Sequence, residues 1–288
     1  MSEGEYEVLD LGGGRRLERF GSLIVDRPYP AAVAPPADAR AWASADLRYE
    51  RETATTGRWE AIGTDVPSAW TMRHDGLTFE LRPTASGQVG FFGEQAEPWR
   101  WIRDSIRRRE DGPLAVLNLF AYTGGATLAA AVSGAAVTHV DASRAAVAWA
   151  RRNGELSGVA AAPIRWIVDD ALAFVRREGR RGRRYDGLIV DPPSYGHGSH
   201  GERWTLVDHL PSLLDAALAL APDPAFVLLT AHTEGLAVTA LGGLLEEALE
   251  RAQAPARISK GDMETANLVL EAASGAFAPA GVMARWRV

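Results

Sequence analysis

Five continuous apolar runs, separated by Ala- and Leu-rich stretches of helical length, constrain this chain more than any other feature. The runs cover residues 114–120, 137–140, 164–168, 188–190 and 226–230. They do not alternate apolar with polar residues, as strands with one solvated face do; parallel strands buried on both faces read this way. Between them lie stretches 126–132, 143–156, 171–177 and 206–220. Repeated strand–helix units predict an α/β fold built on a doubly wound sheet. Two more β-type runs, 267–270 and 282–288, are joined by a turn-rich link, so they are expected to pair antiparallel.

Residues 1–92 read as something else. Short β-type runs at 22–25, 59–62 and 77–81 are divided by turn residues, with Gly12-Gly13-Gly14 before the first and a Pro-rich linker over 28–36. A small β-rich N-terminal subdomain follows from this, with Trp59 and Trp70 in its core. Residues 93–288 form the α/β domain. There is no internal repeat and no low-complexity tract.

Composition removes whole classes of chemistry. The 288 residues include no cysteine, which excludes disulfides, thiolate zinc sites, Fe–S clusters and a cysteine nucleophile. Net charge is −6, so any nucleic-acid contact must use a local basic face. The stretch 176–184 carries six arginines in nine residues. It precedes the fourth strand, so topology puts it opposite the strand tips; phosphate contact and a solvated helix end are both open readings. No apolar run approaches the roughly 20 residues of a membrane-spanning helix, and the acidic start Met1-Ser2-Glu3-Gly4-Glu5 is unlike a signal peptide. A cytoplasmic location without membrane contact is expected. His197 and His200 are too few to suggest a metal, and none is expected.

In open α/β sheets, ligands bind beyond the carboxyl ends of the strands. The first strand ends in Asn118-Leu119-Phe120-Ala121-Tyr122-Thr123-Gly124-Gly125. Two adjacent glycines permit a tight turn close to a ligand, but G-x-G-x-x-G and a phosphate-binding lysine are missing. That favours a nucleoside without phosphates over a nicotinamide dinucleotide. The second strand ends at Asp141, which can accept hydrogen bonds from both ribose hydroxyls or cap the next helix; Ser143 can take the cap and free Asp141. The third ends in Asp169-Asp170-Ala171, where one aspartate can receive an adenine amino group and the other can cap. Position favours Asp170 for adenine. The fourth ends in Asp191-Pro192-Pro193-Ser194-Tyr195-Gly196, whose prolines fix φ and remove donors, leaving a carboxylate, rigid carbonyls and an aromatic to hold a planar base.

Taken together these stretches resemble class I S-adenosylmethionine-dependent methyltransferases, and more narrowly the bacterial group that includes the 23S rRNA cytosine-C5 enzymes. Gly90-Phe91-Phe92-Gly93-Glu94-Gln95 with Trp99 is similar to that group's segment closing over the cofactor. The likeness spans about residues 85–288. It implies a Rossmann-like seven-stranded sheet ending in a hairpin, with S-adenosyl-L-methionine as cofactor. It further implies that Phe120, Tyr122 and Gly124 surround the methionine and ribose. Asp141 would hold the ribose, Asp170 and Ala171 would border the adenine, and Gln95 and Trp99 would contact the cofactor. Asp191, Pro192 and Tyr195 would face the methyl acceptor as the catalytic set, and RNA, rRNA in particular, would be the partner.

One departure alters the chemistry. Cytosine-C5 methylation of RNA needs a thiolate to add to C6, and this chain has no thiol. After the fifth strand it reads Leu229-Thr230-Ala231-His232-Thr233. Direct in-line transfer to nitrogen or oxygen is therefore the expected reaction, with Asp191 accepting a hydrogen bond from an exocyclic amine. His197 and His232 are candidate proton acceptors, each with a structural reading beside it. The loop 196–204 is a candidate lid. A small-molecule methyltransferase and a non-catalytic nucleoside- or RNA-binding protein are the alternatives. Oligomeric state is not legible.

Overall fold

The five apolar runs become the parallel strands of one sheet. The computed structural model describes residues 5–109, 112–197, 203–252 and 261–288. Two compact units divide the chain: Met1–Glu94 with Val269–Ala280, and Gln95–Leu268 with Gly281–Val288.

In the first unit, β1 (Tyr6–Gly12), β2 (Arg15–Phe20), β3 (Leu23–Pro28), β4 (Leu47–Arg51) and β5 (Gly57–Ala61) form a sheet in sequence order. A one-turn helix α1 (Ala39–Trp42) and a separate hairpin, β6 (Trp70–His74) with β7 (Leu77–Leu81), complete it. Trp70 is buried and its indole donates to Phe20 O. Trp59 is half-buried and packs beside Tyr49. Val8, Leu11 and Ala32 pack with Leu270, Ala272 and Ala278 in a small core. Beside that core, buried Asp10 accepts from Leu11 N and Ser274 Oγ on one oxygen, and from Ala37 N, Asp38 N and Trp42 Nε1 on the other. Burial pushes the Asp10 carboxyl up, but these donors outweigh it and leave it below the ordinary aspartate value.

The second unit contains α2 (Ala96–Arg107), β8 (Ala115–Leu119), α3 (Gly125–Ala131), β9 (Ala136–Asp141), α4 (Arg144–Leu156), β10 (Ile164–Val168), α5 (Ala171–Arg180) and β11 (Gly187–Val190). A short hairpin follows, β12 (Tyr195–His197) and β13 (Arg203–Thr205), then α6 (Leu206–Leu218), β14 (Phe226–Ala231), α7 (Val238–Arg251), β15 (Asp262–Glu271) and β16 (Phe277–Arg287). The seven-stranded sheet runs β10-β9-β8-β11-β14-β16-β15. Strands β8 to β11 and β14 are mutually parallel, and β16 is antiparallel to β14. Residues of β11 and β14 are buried throughout, as continuous apolar runs require. Strand order reverses between β8 and β11, so the loops after these two strands flank the switch point where α/β sheets take ligands.

Strands β1, β2, β4 and β6 and the hairpin β12–β13 had no counterpart among the anticipated runs, and other features depart from the reading of the sequence as well. Helix α5 runs to Arg180 rather than residue 177. Helices α2 and α7 had no counterpart among the anticipated elements; Pro98 sits in the first turn of α2, and Gly242 and Gly243 interrupt the apolar pattern of α7. The tip of the last hairpin groups with the first unit. Among the described residues, no helix is long and apolar enough to cross a membrane. Nor do three or more His, Asp or Glu side chains gather there to hold a metal.

Candidate functional site

The tips of β8, β9, β10 and β11 lie on one edge because the strands are adjacent and parallel. After β8 the chain turns sharply. Phe120 and Tyr122 both have left-handed φ, +56° and +45°, a conformation costing roughly 1–3 kcal/mol per non-glycine residue and concentrated at functional sites. Gly124, φ +93°, caps α3. The next glycine is required by space: a Cβ on Gly125 would stand 2.1 Å from Cζ2 of buried Trp99. Trp99 thus packs from α2 onto the glycine turn, and the adjacent glycines answer two different demands.

The turn closes on the neighbouring strand. Tyr122 N donates to Asp141 Oδ2 at 2.9 Å, and Ser143 N donates to Asp141 Oδ1 at 2.8 Å. Ser143 Oγ accepts from Ala146 N and caps α4, so Asp141 is free of that duty. Burial raises the Asp141 carboxyl above the ordinary aspartate value against the pull of those two backbone donors.

At the tip of β10 the helix cap falls to Asp170 rather than to Asp169. Asp170 Oδ1 accepts from Ala173 N and caps α5. Asp169 accepts from Asp170 N and pairs with Arg177. Asp170 is the cap because its own backbone is extended, φ −64° and ψ 135°, as an N-cap must be; Asp169 is left as the carboxylate at the strand tip. Ala171 is buried in the first turn of α5.

At the tip of β11 a polar cluster gathers. Thr230 Oγ1 donates to Asp191 Oδ1 at 2.5 Å, Gln95 Nε2 donates to Asp191 Oδ2 at 3.2 Å, and His232 Nε2 lies 3.3 Å from Asp191 Oδ1. Gln95, placed by sequence among the cofactor contacts, is hydrogen-bonded here to Asp191. Thr230 had gone unnoticed as a site residue. It lies within β14 at the end of the run 226–230, and its only signal is a polar side chain two residues before His232. Gly281 on β16 makes room for the imidazole: a Cβ there would stand 2.8 Å from His232 Nδ1.

Pro192 is buried, and Pro193 O accepts from Trp204 Nε1 at 2.9 Å. Trp204 stacks on His209 and packs against Phe120, with ring centroids 5.1 and 5.4 Å apart. Tyr195 is 70% exposed at the start of the hairpin. Of the candidate lid, residues 198–202 lie outside the described residues. Within the arginine-rich stretch, Arg177 and Arg181 pair with Asp169 and Glu178, while Arg176, Arg180, Arg183 and Arg184 are exposed.

Comparison with known proteins places this geometry in a family. Residues 32–245 match the family model described as S-adenosylmethionine-dependent methyltransferase. A relative named ribosomal RNA large subunit methyltransferase K/L, from Shewanella frigidimarina, is 30% identical over 151 residues, 51% of this chain and 20% of that protein. Ribosomal RNA large subunit methyltransferase I from Klebsiella pneumoniae is 29% identical over 137 residues, 46% of this chain and 32% of its own. The chain therefore spans a third or less of these relatives. A crystal structure of the SAM-dependent methyltransferase from Agrobacterium tumefaciens is 37% identical, with a TM-score of 0.90 over 99% of this chain and 90% of that one. The chain belongs to the S-adenosylmethionine-dependent methyltransferase family.

Proposed function

We propose that the protein methylates RNA, with ribosomal RNA as the acceptor, by direct in-line transfer without a cysteine adduct. One observation carries the reading. Asp191 and the rigid Pro192-Pro193 turn stand across the switch point from the loop 120–124, so donor and acceptor sites share one strand edge. The names of the relatives support RNA as the acceptor class. The thiolate route to a pyrimidine carbon is closed to a chain with no cysteine.

The residues suit S-adenosylmethionine. Asp141 offers a desolvated carboxylate whose remaining lone pairs match a vicinal diol, and Gly124, with φ +93°, lets the loop beside it turn tightly. Asp169 takes the adenine side in place of Asp170, whose carboxylate is committed to the helix. When bound, the cofactor supplies a methyl group activated by a sulfonium. The chain's own part is to bind, align and exclude water. Phe120, Tyr122 and Trp99 shape the donor side, and Asp191, Pro192 and Tyr195 orient the acceptor. A cytoplasmic site of action accompanies this reading.

The test is transfer of labelled methyl from S-adenosylmethionine to ribosomes and to RNA from cells lacking the protein. Label in RNA is the expected result. Label only in a metabolite fraction would replace RNA with a small-molecule acceptor, the reading that the net charge of −6 leaves open. Cofactor binding with no transfer to either would mark a binding protein.

A further inference from the structure

Most of the arginine-rich stretch lies away from the strand tips. Residues 176–184 carry six arginines against one glutamate, a charge of +5 in a chain of net −6. Their spacing removes the usual compensation. Exposed Arg108, Arg152 and Arg251 each pair with a carboxylate three or four positions along the chain, the neighbours on a helix surface. Arg180 instead has arginine at all four such positions, 176, 177, 183 and 184. Among the described residues Arg176, Arg180, Arg183 and Arg184 make no ion pair, and all four are exposed. The helix dipole favours cations only within the last turn of α5; Arg183 and Arg184 lie beyond it.

The backbone beneath these side chains is fixed. Glu178 O accepts from Arg181 N and Arg183 N, and Gly182, φ +66°, turns the chain out of the helix. The Glu178 side chain is buried and satisfied: Oε1 accepts from Arg181 Nη1 at 3.3 Å, and Oε2 from Arg165 Nη1 at 3.0 Å and from the Tyr185 hydroxyl at 2.9 Å. Arg165 comes from β10 and its side chain is 44% exposed, so the basic surface joins a sheet edge to a helix end. Its place sets the size of a ligand. Helix α5 starts beside the tip of β10 and ends ten residues later, about 15 Å away. A metabolite at the strand tips does not reach that far; a polynucleotide does.

We propose that Arg176, Arg180, Arg183 and Arg184, with Arg165 beside them, form a phosphate-binding surface for the backbone of an RNA whose target nucleotide lies at the strand tips. This rests on the reading that RNA is the acceptor, and it makes that RNA one long enough to run the length of α5. The unpaired guanidinium groups repel one another, and phosphates laid among them turn the repulsion into charge-assisted hydrogen bonds. Such contacts carry no base sequence; they add affinity and fix the register of the strand on the protein. Each phosphate held releases counterions, so the surface is read in the salt dependence of binding.

The test measures retention of large-subunit ribosomal RNA, from cells lacking the protein, by the full-length chain across a salt series. The variant combines Arg176→Gln, Arg180→Gln, Arg183→Gln and Arg184→Gln. It should bind RNA at least tenfold more weakly at low salt, with a slope of log K against log salt shallower by about 3, from ~0.7 per single-strand phosphate. Its affinity for S-adenosylmethionine should match wild type. Arg108→Gln, Arg152→Gln and Arg251→Gln together are the control, and an equal loss there would make the effect one of overall charge and overturn the surface. Should the fourfold variant fail to fold, Arg183→Gln with Arg184→Gln, outside the helix, should give half the change in slope. Unchanged affinity and slope return the stretch to a solvated helix end. Polyglutamate displacing the RNA as well as RNA itself would assign the surface to an acidic protein and overturn the RNA assignment. The two readings fail separately. No methyl label in RNA with wild type defeats RNA methylation, whereas labelled RNA with wild-type binding by the variant defeats the surface alone.

Discussion

The backbone N–H of Tyr122 is bonded to the carboxylate of Asp141, so the loop that ends one strand is held by the residue that ends its neighbour. Replacing Asp141 with Ala removes the proposed diol acceptor and releases the loop together. S-adenosylmethionine binding should weaken by about 1–3 kcal/mol, measured by titration calorimetry. Because burial raises this carboxyl, wild-type affinity should also fall on acidification, starting above the pH at which an ordinary aspartate protonates. The Ala variant should lack that decline.

Asp191→Ala should leave cofactor affinity intact and reduce transfer about 10²-fold or more, the scale of a lost acid–base group. Calorimetry and single-turnover labelling on one preparation would check both halves. Retained turnover would remove Asp191 from the reaction.

Trp99 and Gly125 form a tight pair. Gly125→Val should destabilise by about 1–3 kcal/mol through overpacking, because its first side-chain carbon already meets the indole. Trp99→Leu in the same chain should recover part of the loss, since sites in contact couple rather than add. Thermal melting of both singles and the double supplies the cycle. Simple additivity would separate the two residues.

His139 is buried in β9, and Asn118, Thr127 and His139 form one hydrogen-bonded chain, Asn118 Nδ2 to Thr127 Oγ1 to His139 Nδ1. Burial pushes the imidazole down to about 3. The unfolded chain therefore binds the proton first as pH drops below 6.5, and stability falls until about pH 3. His139→Leu should lose less stability than wild type between pH 7 and 4, by about 3 kcal/mol, in denaturant melts at the two pH values. Equal losses would place the acid sensitivity elsewhere.

Asp10 acts with the same sign as His139, at lower pH. Its carboxyl lies below the ordinary value, so its contribution is present above the unfolded pKa and disappears as pH falls through the folded one. Asp10→Ala strands five donors, one buried and four in part-buried bonds, and should cost about 3 kcal/mol by chemical denaturation. A loss under 1 kcal/mol would show that water replaces the carboxylate.

Much of this was written locally. The apolar runs mark β8 to β11 and β14 to within a residue or two; β11 and β14 are buried throughout, whereas β10, at the sheet edge, is only half-buried and carries exposed Arg165. Ser143 as a cap is legible because serine at a helix start has one strong use. The pair Asp169-Asp170 was misread on the cap because identical side chains at consecutive positions differ only in the backbone that carries them. Helix α7 was hidden by Gly242 and Gly243, whose low helix propensity is overridden by packing. Gln95, Asp191, Thr230 and His232 come together only when α2, β11 and β14 are in place, so no sequence window contains the cluster.

The return of Val269–Ala280 to the first unit bears on how the protein can be dissected. A gene fragment stopping after codon 94 would lack Leu270, Ala272 and Ala278, the partners of Val8, Leu11 and Ala32, along with the serine that reaches Asp10. A fragment beginning at codon 95 would carry those three apolar side chains without their other half. Neither piece is a natural unit of expression, and shuffling this fold by splicing at residue 94 would sever one hydrophobic core while appearing to respect a boundary.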